Sequence, residues 1–151
     1  ALVVCNAVGD VVNPLTGELL AGARKSADAR TLLDIRQAQL HGHTAPALQT
    51  GSNTTIGVVA TDAMLTKPQA QRLAQVAHDG LARSIRPVHT PMDGDTLFAL
   101  GTGTSGQAAD MMLLSTLAAE VTAMAVVNAI KAAQDLRLGS NWWPAMTQHA
   151  G

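Results

Sequence analysis

The chemistry available to this sequence is concentrated where Gly51-Ser52-Asn53-Thr54-Thr55 runs into Ile56-Gly57-Val58-Val59-Ala60-Thr61-Asp62. Small polar residues give way there to an apolar, β-branched run, and Thr54 stands at the junction. A threonine hydroxyl so placed can attack the carbonyl of Asn53, break the chain, and become the first residue of a new fragment. A threonine freed in this way carries its own base. An α-amine titrates at about 7.7–8.0, close enough to neutrality to take the proton of the adjacent hydroxyl. The same letters also describe an ordinary loop-to-strand junction, so the junction alone leaves both readings open.

Other residues offer supporting chemistry, each with a plainer alternative. Asn6 interrupts an apolar run. It either bonds nearby backbone or aims its amide at a developing oxyanion. Asp93-Gly94-Asp95 is an acidic turn whose two carboxylates can orient a catalytic residue and hold its proton balance. A calcium loop would need further oxygen ligands and a late Glu, and an apolar strand follows instead. Gly101-Thr102-Gly103-Thr104-Ser105-Gly106 lacks the Lys of a phosphate-binding loop and the later acidic partner of a dinucleotide site. It reads as a strand-to-helix turn. His41 and His43 have no third ligand nearby, so no metal site is expected. Cys5 reads as a small buried hydrophobe, and His78 as an ordinary surface or packing histidine.

These residues need elements to hold them. Residues 1–13 read as strand material broken by Gly9 and Asp10, with a turn at 13–18. A short helix is expected within 26–40, then loop to residue 53. A second strand covers 55–63. Thr66 as N-cap and Pro68 in the first turn open a helix over 67–85. Its Leu73, Val76, Ala77, Leu81 and Ile85 face a core, and His78-Asp79 interrupts it near Gly80. Residues 86–91 are extended, and a third strand covers 97–100. A final helix over 108–135 is expected to turn Leu113, Leu117, Val121, Met124 and Ala125 inward. In the tail from Ser140 to Gly151, Trp142 and Trp143 pack back on the domain or on another subunit.

Composition narrows the class. The 151 residues suffice for one domain with a sizeable core. With 47% hydrophobic and 14% charged residues the chain is globular. A net charge of −1 without basic runs argues against nucleic acid or an anionic membrane surface as partner. Phe98, Trp142 and Trp143 are the only aromatics, too few for a base-stacking surface. One cysteine permits no internal disulfide and suits a reducing, cytoplasmic compartment. No 18-residue apolar span is expected, because Glu120, Thr122, Asn128 and Lys131 interrupt the most apolar stretch.

Three segments together carry a resemblance: Val4-Cys5-Asn6-Ala7-Val8-Gly9-Asp10, Asn53 through Ala63, and Pro87-Val88-His89-Thr90 leading to Asp93-Gly94-Asp95-Thr96. As a set they resemble the self-cleaving N-terminal-nucleophile hydrolases related to D-aminopeptidase/esterase and the β-peptidyl aminopeptidases. Threonine rather than serine at the nucleophile, with Asp-Gly-Asp at the later turn, is similar to the branch that hydrolyses nylon-6 (6-aminohexanoate) oligomers. The resemblance covers most of the chain.

What the resemblance implies can be stated as expectations. The fold is α/β (α+β), part of a four-layer αββα sandwich. The chain is a single domain, 1–151, forming the C-terminal part of a longer precursor. Residues 1–53 end an α fragment, and 54–151 form a β fragment after cleavage between Asn53 and Thr54. Thr54 is the nucleophile, Asn6 supports the oxyanion, and Asp93 and Asp95 position and polarise the nucleophile. The family also draws on an upstream segment that includes a lysine. Lys25, Lys67 and Lys131 do not stand in the matching context, and no lysine role is transferred. No cofactor or metal is expected. The partners are a small oligoamide substrate and the upstream segment, in a homo-oligomer of heterodimers, without nucleic acid or membrane. The activity is endo-cleavage of 6-aminohexanoate oligomers. The alternatives are an aminopeptidase or amidase on small or β-peptides, a self-cleaving threonine-dependent acyltransferase, or a non-enzymatic interaction domain.

Overall fold

A computed structural model describes residues 1–43 and 53–146. The loop expected over 44–52 and the end of the tail, 147–151, lie outside the described residues. Along the chain the elements are β1 (Leu2–Val4), β2 (Asp10–Val12), β3 (Leu19–Ala21), α1 (Ile35–Leu40), β4 (Ile56–Thr61), α2 (Lys67–Ser84), β5 (Ile85–Arg86), β6 (Thr96–Gly101), α3 (Met111–Ala132), β7 (Leu136–Leu138) and β8 (Asn141–Trp143). This is a mixed α/β arrangement.

Side-chain alternation organises the main sheet, whose strand order is β1-β4-β6. β1 runs antiparallel to β4, and β4 runs parallel to β6 with Ile56 opposite Thr96 and Thr61 opposite Gly101. Gly57, Val59 and Leu97 point into the core, with Val3 and Ala99 packed against it. Their neighbours Leu2, Val4, Ile56, Phe98 and Leu100 point the other way and are exposed. One face of the sheet is thus covered by the helices, and the other presents an apolar surface.

The helical layer is α2 against α3. Thr66 caps α2 by a full capping box with Gln69, and Pro68 sits in the first turn. The helix runs without interruption through His78-Asp79-Gly80. Gly80 is there for another reason. A Cβ on it would lie 2.4 Å from Ala119 O and 2.6 Å from Thr122 Cβ, so its bare backbone is what lets α3 approach. That contact also corrects the expected inward stripe of α3. The buried residues are Ala118, Ala119, Thr122, Ala123, Val126 and Val127, whereas Leu113, Leu117 and Met124 are exposed. α3 begins at Met111, capped by Asp110, and, against the expectation that no such apolar span occurs, it is on length and composition alone long and apolar enough to cross a membrane. Here its small-residue side packs on α2, and Glu120 on it pairs with Arg83 at 2.7 Å.

Residues 1–13 do not form one strand. β1 and β2 belong to different sheets, the second ordered β3-β2-β5, and residues 5–9 cross between them. Gly9 permits the crossing, since a Cβ there would lie 1.9 Å from Pro87 O. Asp10 is more than the strand interruption it resembles. It is 1% exposed, and its carboxylate accepts the N–H groups of Ala23 (3.1 Å) and Ile35 (2.6 Å). Burial pushes its pKa up, and those two donors pull it partly back. Asp10→Ala leaves both part-buried donors without the carboxylate, and should lower the unfolding free energy by about 2 kcal/mol, measured by urea titration. A loss under about 1 kcal/mol would show that water replaces the carboxylate without cost.

The expected helix within 26–40 contracts to α1, capped by Asp34. Within the described part of the tail Trp142 packs back, whereas Trp143 is exposed. Arg24, Arg30 and Arg137 all lie 5.0–5.6 Å from the Trp142 ring centre, and Arg24 donates to Trp142 O.

Candidate active site

The Asn53–Thr54 peptide is gripped from both sides. On one side is the crossing after β1. Thr54 N–H donates to the main-chain carbonyl of Asn6 at 2.8 Å, and Asn53 Nδ2 to Ala7 O at 3.3 Å. On the other side is the turn before β6. Asn53 bridges Asp93 in parallel register, Gly94 N–H donates to Asn53 O at 3.1 Å, and Thr96 N–H donates to Thr55 O at 2.9 Å. The β4–β6 ladder therefore extends backwards past the start of β4 to the expected cleavage point. Thr54 is half-buried and Thr55 fully buried. Gly94 lies against the Thr54 hydroxyl, since a Cβ on it would be 2.6 Å from Thr54 Oγ1.

The two carboxylates of the turn act on different neighbours. Asp93 Oδ2 accepts both the N–H and the hydroxyl of Thr90, each at 2.8 Å, and its Oδ1 accepts the Val8 N–H at 3.4 Å. Asp93 therefore ties the turn to the β1–β2 crossing. Asp95 reaches one residue past Thr54, and its Oδ1 accepts the Thr55 N–H at 2.9 Å. Its side chain is 3% exposed, and among the described residues Oδ2 has no hydrogen-bond partner, with His89 Nδ1 3.9 Å away. Both carboxylates hold the backbone around Thr54.

His89 adopts φ 57°, a left-handed conformation uncommon outside glycine. Its ring lies 5.1 Å from that of His78 on α2. Burial, and then the neighbouring His89, push the His78 pKa down. The unfolded chain therefore takes up this proton near pH 6.5 and the native protein only at lower pH. Stability is lost as pH falls below about 6.5 and the loss levels off below the native pKa. His78→Gln should lose less stability than the parent between pH 7 and pH 5 in thermal melts. Equal losses would remove His78 as the source.

The expected residues therefore come together: Asn6, Asn53, Thr54, Asp93 and Asp95 lie on one ladder and the crossing beside it. Asn6 meets the Thr54 N–H with its main-chain oxygen, in addition to the side-chain role expected of it. Gly94, Thr90 and His89 complete the arrangement and had no assigned role in the sequence. The tight spacing Asp-Gly-Asp was the available signal for Gly94. Cys5 is half-buried, and burial raises its thiol pKa, as suits an unreactive thiol. The glycine-rich 101–106 turn is tied back to the strand end, with Ser105 donating to Asp62 O from both N–H and hydroxyl. A cavity of about 900 Å³ lined by Leu19–Gly22, Arg24, Arg30, Lys131 and Trp143 includes none of the residues around Thr54. No group of three or more metal-ligating side chains occurs among the described residues.

The sequence model of peptidase family S58 matches residues 1–141. The chain belongs to peptidase family S58. It is 48% identical over 108 residues to an uncharacterized aminopeptidase of Mycobacterium tuberculosis (strain ATCC 25618 / H37Rv), covering 68% of this chain and 30% of that protein. A similar protein of Mycobacterium leprae (strain TN) is 49% identical over 104 residues, covering 68% and 28%. The 6-aminohexanoate-oligomer endohydrolase of Paenarthrobacter ureafaciens is 32% identical over 105 residues, covering 68% and 29%. The chain thus spans about 30% of the length of the curated relatives it matches. The S58 assignment agrees with the wider family that the three motifs resemble. The greater identity lies with relatives named aminopeptidases.

Proposed function

We propose that this S58 chain carries the nucleophile of a self-cleaving amide hydrolase, and that the nucleophile is Thr54. The observation that supports this most is the grip on the Asn53–Thr54 peptide, with carbonyl, nitrogen and hydroxyl each beside a fixed backbone group. In the first reaction Thr54 Oγ adds to the Asn53 carbonyl carbon and the carbonyl π pair moves onto oxygen. The intermediate collapses with release of the Thr54 nitrogen, which takes up the proton lost by the hydroxyl. Water then hydrolyses the resulting ester, giving an Asn53 carboxylate and a free N-terminal Thr54. In the second reaction that amine is the base, Thr54 Oγ attacks a linear amide, and water clears the acyl-enzyme. Asp95, through Thr55 N–H, and Asp93, through Thr90 and Val8, hold the nucleophile in register.

The upstream segment of the precursor is part of this proposal. The exposed apolar face of the β1-β4-β6 sheet suits a second sheet, as the four-layer sandwich requires. Assembly into a homo-oligomer and a cytoplasmic location remain proposals of the same kind.

Two substrate readings follow. Thr54 together with Asp93-Gly94-Asp95 favours internal cleavage of 6-aminohexanoate oligomers. The higher identity to proteins named aminopeptidases favours removal of single N-terminal residues. Product analysis separates them. The full protein carrying this chain is incubated with linear 6-aminohexanoate oligomers and with β- and α-aminoacyl amides. Mid-chain oligomer products support the first reading, and release of one residue from a free N-terminus supports the second. An absence of hydrolysis with both sets would count against the hydrolase.

A further inference from the structure

We infer that the backbone N–H of Gly94 is the oxyanion donor for Thr54, first in self-cleavage and then in substrate hydrolysis. The inference rests on the hydrolase reading above and adds a group that the reading does not contain. Two observations converge on this glycine. Its N–H points at Asn53 O from 3.1 Å, and that oxygen receives the electron pair when Thr54 Oγ bonds to the carbonyl carbon. Its missing side chain is what leaves room for the attacking hydroxyl, because any Cβ would sit 2.6 Å from Thr54 Oγ1. One residue thus adjoins both the atom that attacks and the atom that becomes charged.

The donor is fixed before reaction. Gly94 lies between Asp93, tied to Thr90 and Val8, and Asp95, tied to Thr55. The next rung, Thr96 N–H to Thr55 O, holds the same ladder. A donor held this way needs no reorganisation as charge develops, and a bond to a full oxyanion is stronger than one to a neutral carbonyl. On the nitrogen side, the Asn6 main-chain carbonyl already accepts the Thr54 N–H, which places Asn6 at the leaving nitrogen.

The second reaction inherits the geometry. A substrate acyl group on Thr54 Oγ occupies the place of the Asn53 carbonyl carbon. Once the Asn53 carboxylate has withdrawn, its oxygen faces the same N–H. Atoms balance as before: a C–O bond forms at Thr54 Oγ, the amide C–N bond breaks, the departing amine takes the proton, and water supplies the oxygen of the product acid.

The test exchanges one atom. In the full protein that carries this sequence, glycolic acid incorporated in place of Gly94 replaces the N–H by an ester oxygen and adds no side chain. The rate at which the fragment beginning at Thr54 appears is followed by mass. After cleavage is complete, hydrolysis of a linear amide is measured. Both rates should fall about 10²- to 10³-fold, as for the loss of one oxyanion donor. The control makes the same exchange at Thr102 with the hydroxy-acid analogue of threonine, removing the N–H that bonds Thr61 O at the far end of the β4–β6 pair. It weakens the same pair of strands away from Thr54 and should leave both rates near the parent's. A Gly94 ester that cleaves at the parent's rate would overturn the inference, and so would an equal slowing at Thr102. Thr54→Ala keeps the two levels apart. If that variant still splits at Asn53–Thr54, the hydrolase reading fails. If it stays whole while the Gly94 ester cleaves normally, only the Gly94 assignment fails.

Discussion

Thr54→Ala should give one unbroken chain and no turnover. In the proposed reaction the hydroxyl forms the ester, whereas the hydrogen bond holding the residue to Asn6 runs through its main-chain nitrogen. The alanine variant therefore keeps the ladder and loses the chemistry. Removing a covalent nucleophile lowers rates by about 10⁴-fold or more in well-studied hydrolases. Denaturing mass measurement reads the first loss and amide hydrolysis the second. Thr54→Ser supplies the complementary result. It retains hydroxyl and amine, so it should still cleave, more slowly as the methyl that restricts χ1 is gone. A serine variant as inert as the alanine would mean that the threonine methyl, rather than its oxygen, is what the site requires.

Gly94→Ala should be the second most damaging change, for a different reason. Gly94 makes its close approach to Thr54 without any positive φ, so an alanine fits the backbone there. The added methyl would stand 2.6 Å from Thr54 Oγ1 and 3.6 Å from Thr54 Cβ and Cγ2. The hydroxyl is the part that must move. A shift of about 1 Å in a reacting atom costs roughly 100-fold in rate. Overpacking at a half-open turn costs stability of only about 1 kcal/mol. The expected variant is therefore folded, melts near the parent and cleaves about 100-fold more slowly. Cleavage at the parent's rate would show that the hydroxyl attacks from another rotamer.

The parts of this molecule legible in its sequence are those decided locally. Thr66-Lys67-Pro68-Gln69 states the start of α2 outright, because a capping box satisfies its donors within four residues. The parallel pair β4–β6 was visible as two apolar runs. The stripe of α3 was misread because the helix is apolar on nearly every side, so periodicity carries little information. Its inward face was chosen by the small side chains Ala119 and Ala123, which admit Gly80 of α2. The break in residues 1–13 was equally hidden, since Gly9 is needed only once Pro87 lies against it.

The candidate site divides in the same way. The grouping of Asn53 and Thr54 with the two aspartates was expected from residue type and spacing together with the resemblance, and the structure brings these residues together. Which atoms meet was not readable in this way, since that depends on strands brought together from residues 6, 54 and 94. The bond from Thr54 N–H to the Asn6 main-chain oxygen is one such meeting, additional to the amide role expected of Asn6. The role of Asp10 was hidden for the same reason, as its partners Ala23 and Ile35 are remote in sequence.

The most direct test of the central claim is the intact mass, under denaturing conditions, of the full protein that carries this chain. The account predicts two fragments, one ending at Asn53 and one beginning with a free Thr54 amine, with a single whole chain for Thr54→Ala. A folded wild-type protein that remains unbroken between Asn53 and Thr54 would contradict it and leave the junction an ordinary entry to β4.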